Sequence, residues 1–111
     1  ELLLMQLRDG KCGDTQVLSP EAIETMQADR IKQAYDGDAG VDNFDPNSGY
    51  GMGWWLTRDE GTVFDPGAYG TVPMIDPEGG WGVYLVIEAS SDEGLELFGE
   101  VEDAVREALE G

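Results

Sequence analysis

Thr71-Val72-Pro73-Met74-Ile75-Asp76-Pro77-Glu78-Gly79-Gly80-Trp81-Gly82-Val83-Tyr84-Leu85-Val86-Ile87-Glu88 decides how this chain folds. Its centre, Asp76-Pro77-Glu78-Gly79-Gly80, is a hairpin turn: Pro presets one backbone dihedral, Asp can bond its own backbone, and Gly supplies the remaining freedom. Before the turn, Thr71 to Ile75 predicts a strand, with Pro73 pointing to an edge or a bulge because it has no N–H for the ladder. After it, Trp81 to Glu88 predicts a strand with Trp81, Val83, Leu85 and Ile87 on one face and Tyr84 and Val86 on the other. Apolar side chains on both faces predict a strand covered from both sides.

Working upstream, Thr62 to Phe64 starts a strand that runs towards Gly67-Ala68-Tyr69, and Tyr50 to Thr57 predicts another. In the latter, Gly49, Gly51 and Gly53 alternate with Tyr50, Met52 and Trp54, so one face is bare backbone. Such a face lies under another element or beside a ligand. Downstream, Ser90 and Glu93 have the spacing of a capping box, followed by a helix with Leu97, Val101, Ala104, Val105 and Ala108 along one side. At the other end, Leu2 to Leu7 predicts the tail of a helix stopped by Asp9-Gly10, and Lys11 to Val17 a short turn segment. Ser19-Pro20-Glu21 opens a second helix as N-cap, first-turn proline and dipole-compensating acid, with Ile23 and Met26 facing a core.

The expected architecture is α+β: an antiparallel sheet of three to four strands, a C-terminal helix packed on it, and two helices at the N-terminal side. Residues 1–34 are helical, 35–49 an acidic loop, 50–89 the sheet and 90–111 the C-terminal helix of one domain. At 111 residues there is room for one core.

Composition narrows function. Twenty-four Asp and Glu oppose six Lys and Arg, a formal net charge of -18. That field repels phosphate backbones and anionic lipid, so neither nucleic acid nor membrane is an expected partner. The single cysteine, Cys12, excludes an internal disulfide, and the absence of histidine removes the commonest general base and zinc ligand. Asp36, Asp38, Asp42 and Asp45 raise calcium, since hard cations collect carboxylate oxygens. The loop fails the EF-hand pattern, with Gly40 where a ligand belongs, Val41 where the glycine belongs, and Asn47 instead of the closing Glu. A solvated loop is the better reading.

Three stretches in order resemble the serine β-lactamase-like family, which comprises class C β-lactamases, penicillin-binding proteins acting as D,D-peptidases, and related esterases. Leu3-Leu4-Met5-Gln6-Leu7-Arg8-Asp9-Gly10 with Val17-Leu18-Ser19-Pro20-Glu21 resembles its paired helices. Tyr50-Gly51-Met52-Gly53-Trp54 is similar to its "YGlGW" strand. Phe64-Asp65-Pro66-Gly67-Ala68-Tyr69-Gly70-Thr71, then Ile75-Asp76-Pro77-Glu78, resembles its third-motif hairpin. The likeness runs along nearly the whole chain and implies the C-terminal portion of such a fold.

Enzymes of this kind use an S-x-x-K nucleophile and base, a second polar motif, and a K-T-G or H-x-G strand. The resemblance places the first two upstream of Glu1. None of Ser19, Ser48, Ser90 and Ser91 has a lysine three residues on, and an unactivated hydroxyl is a poor nucleophile. The third motif maps onto Asp65-Pro66-Gly67. There the family carries Lys or His, which helps to hold a substrate carboxylate. Asp65 would repel one, which counts against β-lactams and peptide termini and leaves neutral esters or amides. The resemblance makes Gly67 a point of close backbone approach. It makes the Ala68 N–H half of the oxyanion hole and lets Tyr69 line the cleft. Asp65-Pro66-Gly67 taken alone is an ordinary turn. Trp54 and Trp55 read as core and cleft-wall packing.

The function implied is therefore the C-terminal segment of a serine hydrolase, without its nucleophile and with no cofactor. The expected partner is the N-terminal half of the same protein, or a second copy, because Leu2, Leu3, Leu4 and Met5 and a sheet edge would otherwise be bare. Two alternatives differ in class: a catalytically inactive β-lactamase-like binding module, favoured by Asp65, and an acidic calcium-binding module. No signal stretch is visible, although the family is usually periplasmic or secreted.

Overall fold

The computed structural model describes residues 1–35 and 46–110. The calcium reading, which rests on Asp36, Asp38, Asp42 and Asp45, falls outside them. The architecture is α+β, built on five antiparallel strands in simple sequential order: β3 (Ser48–Tyr50), β4 (Trp55–Thr57), β5 (Val63–Phe64), β6 (Val72–Asp76) and β7 (Trp81–Leu85). A two-stranded ribbon, β1 (Lys11–Cys12) with β2 (Thr15–Gln16), precedes the sheet and replaces the expected turn segment. The helices are α1 (Leu2–Leu7), α2 (Pro20–Gln27), α3 (Arg30–Tyr35) and α4 (Ser91–Glu110).

The hairpin at the centre of the sequence forms as expected, with Asp76 opposite Trp81 and Val72 opposite Leu85. The Asp76 side chain accepts from the Gly79 N–H at 2.7 Å and its carbonyl from the Gly80 N–H at 2.9 Å, so one residue closes the turn twice. Pro73 is not on an edge strand, since β6 lies between β5 and β7. Its carbonyl accepts from the Asp65 N–H at 3.1 Å, so the nitrogen of Pro73 also points towards β5. Having no hydrogen there, it cannot return the bond to Asp65. The β5–β6 ladder stops after Phe64, and the chain leaves the sheet at Asp65.

Two further expectations change. Tyr50 to Thr57 is two strands joined by Gly51-Met52-Gly53-Trp54, not one. The turn is closed by the Gly51 N–H to the Trp54 carbonyl at 2.7 Å, and Gly53 takes a φ of 83°, which a side chain resists. The bare backbone does lie under another element. A Cβ on Gly49 would run into the Asp29 carboxylate, and one on Gly51 into the Met26 carbonyl. The second change is at β7, which is covered incompletely on its Tyr84 face. Tyr84 is 59% and Val86 67% exposed, while Trp81, Val83 and Leu85 are half-buried. β7 is an outer strand, and α1 approaches its Tyr84 face but leaves the Tyr84 side chain exposed.

Alternation along β6 sorts the core into two layers. Val72 and Met74 pack with Phe98 of α4 on one face, joined by Phe64, Trp81, Val83 and Leu85. Ile75 packs with Trp54, Leu56 and Val63 on the other, joined by Leu3 and Leu7 of α1 and Met26 of α2. In α4 the capping box forms: the Ser90 N–H donates to Glu93 Oε2 at 3.0 Å and the Glu93 N–H to Ser90 Oγ at 3.3 Å. Its inward stripe is rotated from the expected one. Gly94 and Phe98 are buried, Val101 and Val105 half-buried, and Leu97, Ala104 and Ala108 exposed. Ser19 caps α2 through the Ala22 N–H at 3.2 Å, as read from Ser19-Pro20-Glu21. No helix among the described residues is long and apolar enough to cross a membrane.

One nearly buried ion pair ties the α2–α3 junction to the sheet. Arg58 Nε donates to Asp29 Oδ2 at 2.8 Å, with side chains 13% and 12% exposed, and the Lys32 N–H donates to Asp29 Oδ1 at 3.0 Å. Burial alone would push the Asp29 carboxyl up. The Lys32 N–H, the Arg58 guanidinium and the Tyr50 N–H together outweigh it and hold the group below its ordinary range.

Two outcomes follow. Ile75→Ala, at a residue 0% exposed, costs about 2–5 kcal/mol, and Leu85→Ala at its half-buried site costs less; urea denaturation midpoints measure both. Because folding lowers the Asp29 pKa, the stability from this group is fully present above its unfolded value of about 3.9 and is lost as pH falls through the folded value. The stability advantage over Arg58→Met therefore shrinks below about pH 4, and an advantage that persists unchanged at lower pH would show that Asp29 is not its source.

Candidate functional site

Where β5 ends, residues 65–71 form a loop whose conformation is fixed by its own backbone. The Gly67 N–H donates to the Thr71 carbonyl at 2.7 Å, and the Gly70 N–H to the Gly67 carbonyl at 3.1 Å, making Ala68 and Tyr69 the central residues of a turn. Gly70 has a φ of 87° and sits where the start of α4 meets the loop. A Cβ on Gly94 would collide with the Gly70 backbone, and a Cβ on Gly70 would crowd Ile87 and the Ser90 carbonyl. The Tyr69 carbonyl accepts from the Ala89 N–H at 3.1 Å. The loop is thus held from inside by two hydrogen bonds and from behind by the capped end of α4.

Against this frame the residues read from the sequence occupy different places. The Ala68 N–H has no acceptor among the described residues. Gly67 is half-buried, Ala68 is exposed, and Tyr69 is 78% exposed with its ring in solvent. Asp65 is exposed, and its carboxylate has no hydrogen-bond or ion-pair partner among the described residues.

Beside Asp65 a groove of about 510 Å³ opens on the α1 face of the sheet. Pro73 and Tyr84, cross-strand partners, form its floor. Met52, Gly53 and Trp54 from the β3–β4 turn make one wall, and Leu2, Leu3 and Gln6 of α1 with Met26 of α2 make another. The groove brings in Asp65 but not Gly67, Ala68 or Tyr69, which lie on the loop leading away from it. Trp54 serves both core and groove, as its reading suggested, and Trp55 stacks edge-on against Tyr50 at 4.8 Å. Tyr84 and Met52 were not singled out from the sequence. For Tyr84 the signal lies in the apolar second face of β7.

The hydroxyls of Ser19 and Ser90 are engaged as helix caps. The arrangement can therefore offer a fixed backbone N–H, an apolar groove and one free carboxylate, and it has no nucleophile–base pair among the described residues.

No family model matches the chain, and no curated protein matches it by sequence. Among solved structures, the fold is similar to that of a crystal structure named "putative beta-lactamase" from Bacteroides dorei DSM 17855. The TM-score is 0.59 and the identity 24%, over 81% of this chain. The matched region is 33% of that protein, so this chain corresponds to about a third of its length. At this identity the likeness is one of fold.

The two loop glycines should separate in their tolerance of a methyl group. A Cβ on Gly67 meets the Thr71 carbonyl at an ordinary 3.4 Å, whereas Gly70 combines positive φ with crowding. Gly67→Ala is expected to change stability by less than about 1 kcal/mol, and Gly70→Ala to cost more than about 1–2 kcal/mol in thermal or urea unfolding. Equal losses at both sites would show that the loop is not held as described.

Proposed function

We propose that this chain is the C-terminal part of a serine hydrolase resembling β-lactamases, D,D-peptidases and esterases, and that loop 65–71 supplies its third motif. The observation that carries this reading is the Ala68 N–H, left without an acceptor on a turn anchored by Gly67, Gly70 and Ala89. A donor fixed in place before the reaction stabilises a developing oxyanion without paying for reorganisation at that moment. The β-lactamase-like fold neighbour supports the reading from an independent direction. In this assignment the Ala68 N–H is half of the oxyanion hole, Gly67 keeps the approach to it open, and Tyr69 borders the cleft. The nucleophile and its base are supplied by sequence upstream of Glu1. The exposed Leu4 and the outer edge of β7 are then covered by that same upstream part or by a second copy.

A second reading has one specific observation in its favour. Asp65 replaces the cation of the third motif, which fits a relative that binds but does not turn over. The sequence upstream of Glu1 separates the two, since an S-x-x-K there supports an enzyme.

The chain by itself is expected to hydrolyse chromogenic β-lactams and p-nitrophenyl esters no faster than buffer. The longer polypeptide that contains it should hydrolyse the ester and be labelled by a fluorophosphonate on a serine outside residues 1–111. Turnover by the pure 111-residue chain that survives mutation of all four of its serines would overturn the assignment.

A further inference from the structure

We propose that the groove beside Asp65 takes an apolar ligand bearing a cationic amine, which would make the substrate of the hydrolase proposed above an amine-containing ester or amide. The substrate role rests on that hydrolase reading; the binding itself does not. Three observations carry it. The walls are almost entirely apolar, from Leu2, Leu3, Met26, Met52, Trp54 and Pro73, and about 510 Å³ accommodates a ring and a short chain. The ionisable side chains of the lining besides the Tyr84 phenol are both acidic, Asp65 and Glu1, and the α-ammonium of Glu1 is the one cationic group that a lining residue carries. The Asp65 carboxylate is also free of any partner among the described residues, so a ligand ammonium would not have to displace an internal cation. Arg58 and Arg106, the basic side chains that the sheet and α4 contribute, are held in ion pairs with Asp29 and with Glu60, Asp76 and Glu102.

Charge therefore selects among ligands of equal apolar content. An ammonium meets a free carboxylate at the rim and the exposed Tyr84 ring in the same groove, and aromatic rings attract cations. A carboxylate meets Asp65, Glu1 and the field of a chain with net charge -18. The third-motif position that resembles a carboxylate holder thus acts with inverted sign.

Isothermal titration of the 111-residue chain with 4-phenylbutylammonium, 4-phenylbutanol and 4-phenylbutyrate tests this, because the three share one apolar body. The ammonium should bind about tenfold more tightly than the alcohol, and the carboxylate most weakly. Asp65→Asn should bring the ammonium down to the alcohol. Asp14→Asn, which changes net charge equally outside the groove, should leave the preference intact and so exclude a general effect of acidity. Asp65→Lys should reverse the order in favour of 4-phenylbutyrate, with the alcohol's affinity reporting that the groove is still formed. The proposal is overturned if ammonium and alcohol bind alike, or if the preference survives in Asp65→Asn. It is equally overturned if none of the three binds, the result expected when a second copy fills the groove. Failure here leaves the hydrolase assignment standing, since that assignment depends on turnover by the longer polypeptide.

Discussion

β6 is buried on both faces, and the rest of the structure answers that constraint. Val72 and Met74 point one way and Ile75 the other, and all three are at most 2% exposed. Each such side chain contributes roughly 1.5–3 kcal/mol when fully buried, so a strand of this kind is stable only between two covers. α4, with 20 residues and a length of about 30 Å, is long enough to cross the whole of one face. The other face has α1, six residues and about 9 Å long, helped by α2. Five strands at about 4.8 Å spacing are roughly 19 Å across, wider than one short helix. The uncovered remainder is the groove floored by Pro73 and Tyr84. The site is thus a consequence of unequal covers on one sheet.

That inequality also marks how far the sequence could be read. Local chemistry was legible wherever one residue type answers one backbone need: Ser19 and Ser90 as caps, Asp76 to Gly80 as a turn, Asp9-Gly10 as a helix stop. The glycines at 49 and 51 announced a close neighbour, and the neighbour is there. Coverage was not legible. The two-sided apolar pattern of β7 is the same whether a helix lies on Tyr84 or not, because the pattern records affinity for a cover rather than its presence. The stripe on α4 shifted for a related reason. Gly94 has no side chain to weigh in a hydrophobic pattern, yet its contact with Gly70 fixes the helix rotation, turning Phe98 inward and Leu97 outward. At the site, Asp65 was legible as an anomaly of charge, whereas the groove beside it depends on Met52 and Tyr84, which only the turn at 51–54 and the short cover of α1 bring together.

An acid-rich chain has to place its few cations where they join elements. Arg106 bonds to Glu102 at 2.6 Å within α4, reaches Glu60 at 3.3 Å and Asp76 at 3.5 Å, and lies over the Trp81 ring at 5.2 Å. One guanidinium thereby links α4, the β4–β5 connection and the β6–β7 turn. Arg58 does the same for Asp29 and the first hairpin of the sheet. Both are arginines, whose planar fork serves several acceptors at once, and both lie in partly dehydrated settings where such contacts are less screened than on the open surface. With these two cations committed, neither guanidinium faces the groove, whose charged side chains are the carboxylates of Asp65 and Glu1.

The separation of backbone and side-chain roles in loop 65–71 then sets what the site can vary. Gly70 and Gly94 are pinned by steric contact, and the Gly67 and Tyr69 backbones by hydrogen bonds to Thr71, Gly70 and Ala89. None of these bonds uses the side chain at position 65. Its N–H is spent on Pro73, and its carboxylate projects free at the end of a ladder that Pro73 has already closed. A charge there can change sign without disturbing the turn that presents the Ala68 N–H. The geometry that would stabilise a reacting oxygen is therefore independent of the group that would choose the ligand. That independence is the physical reason an aspartate can stand where a cation is expected without unfolding the motif around it.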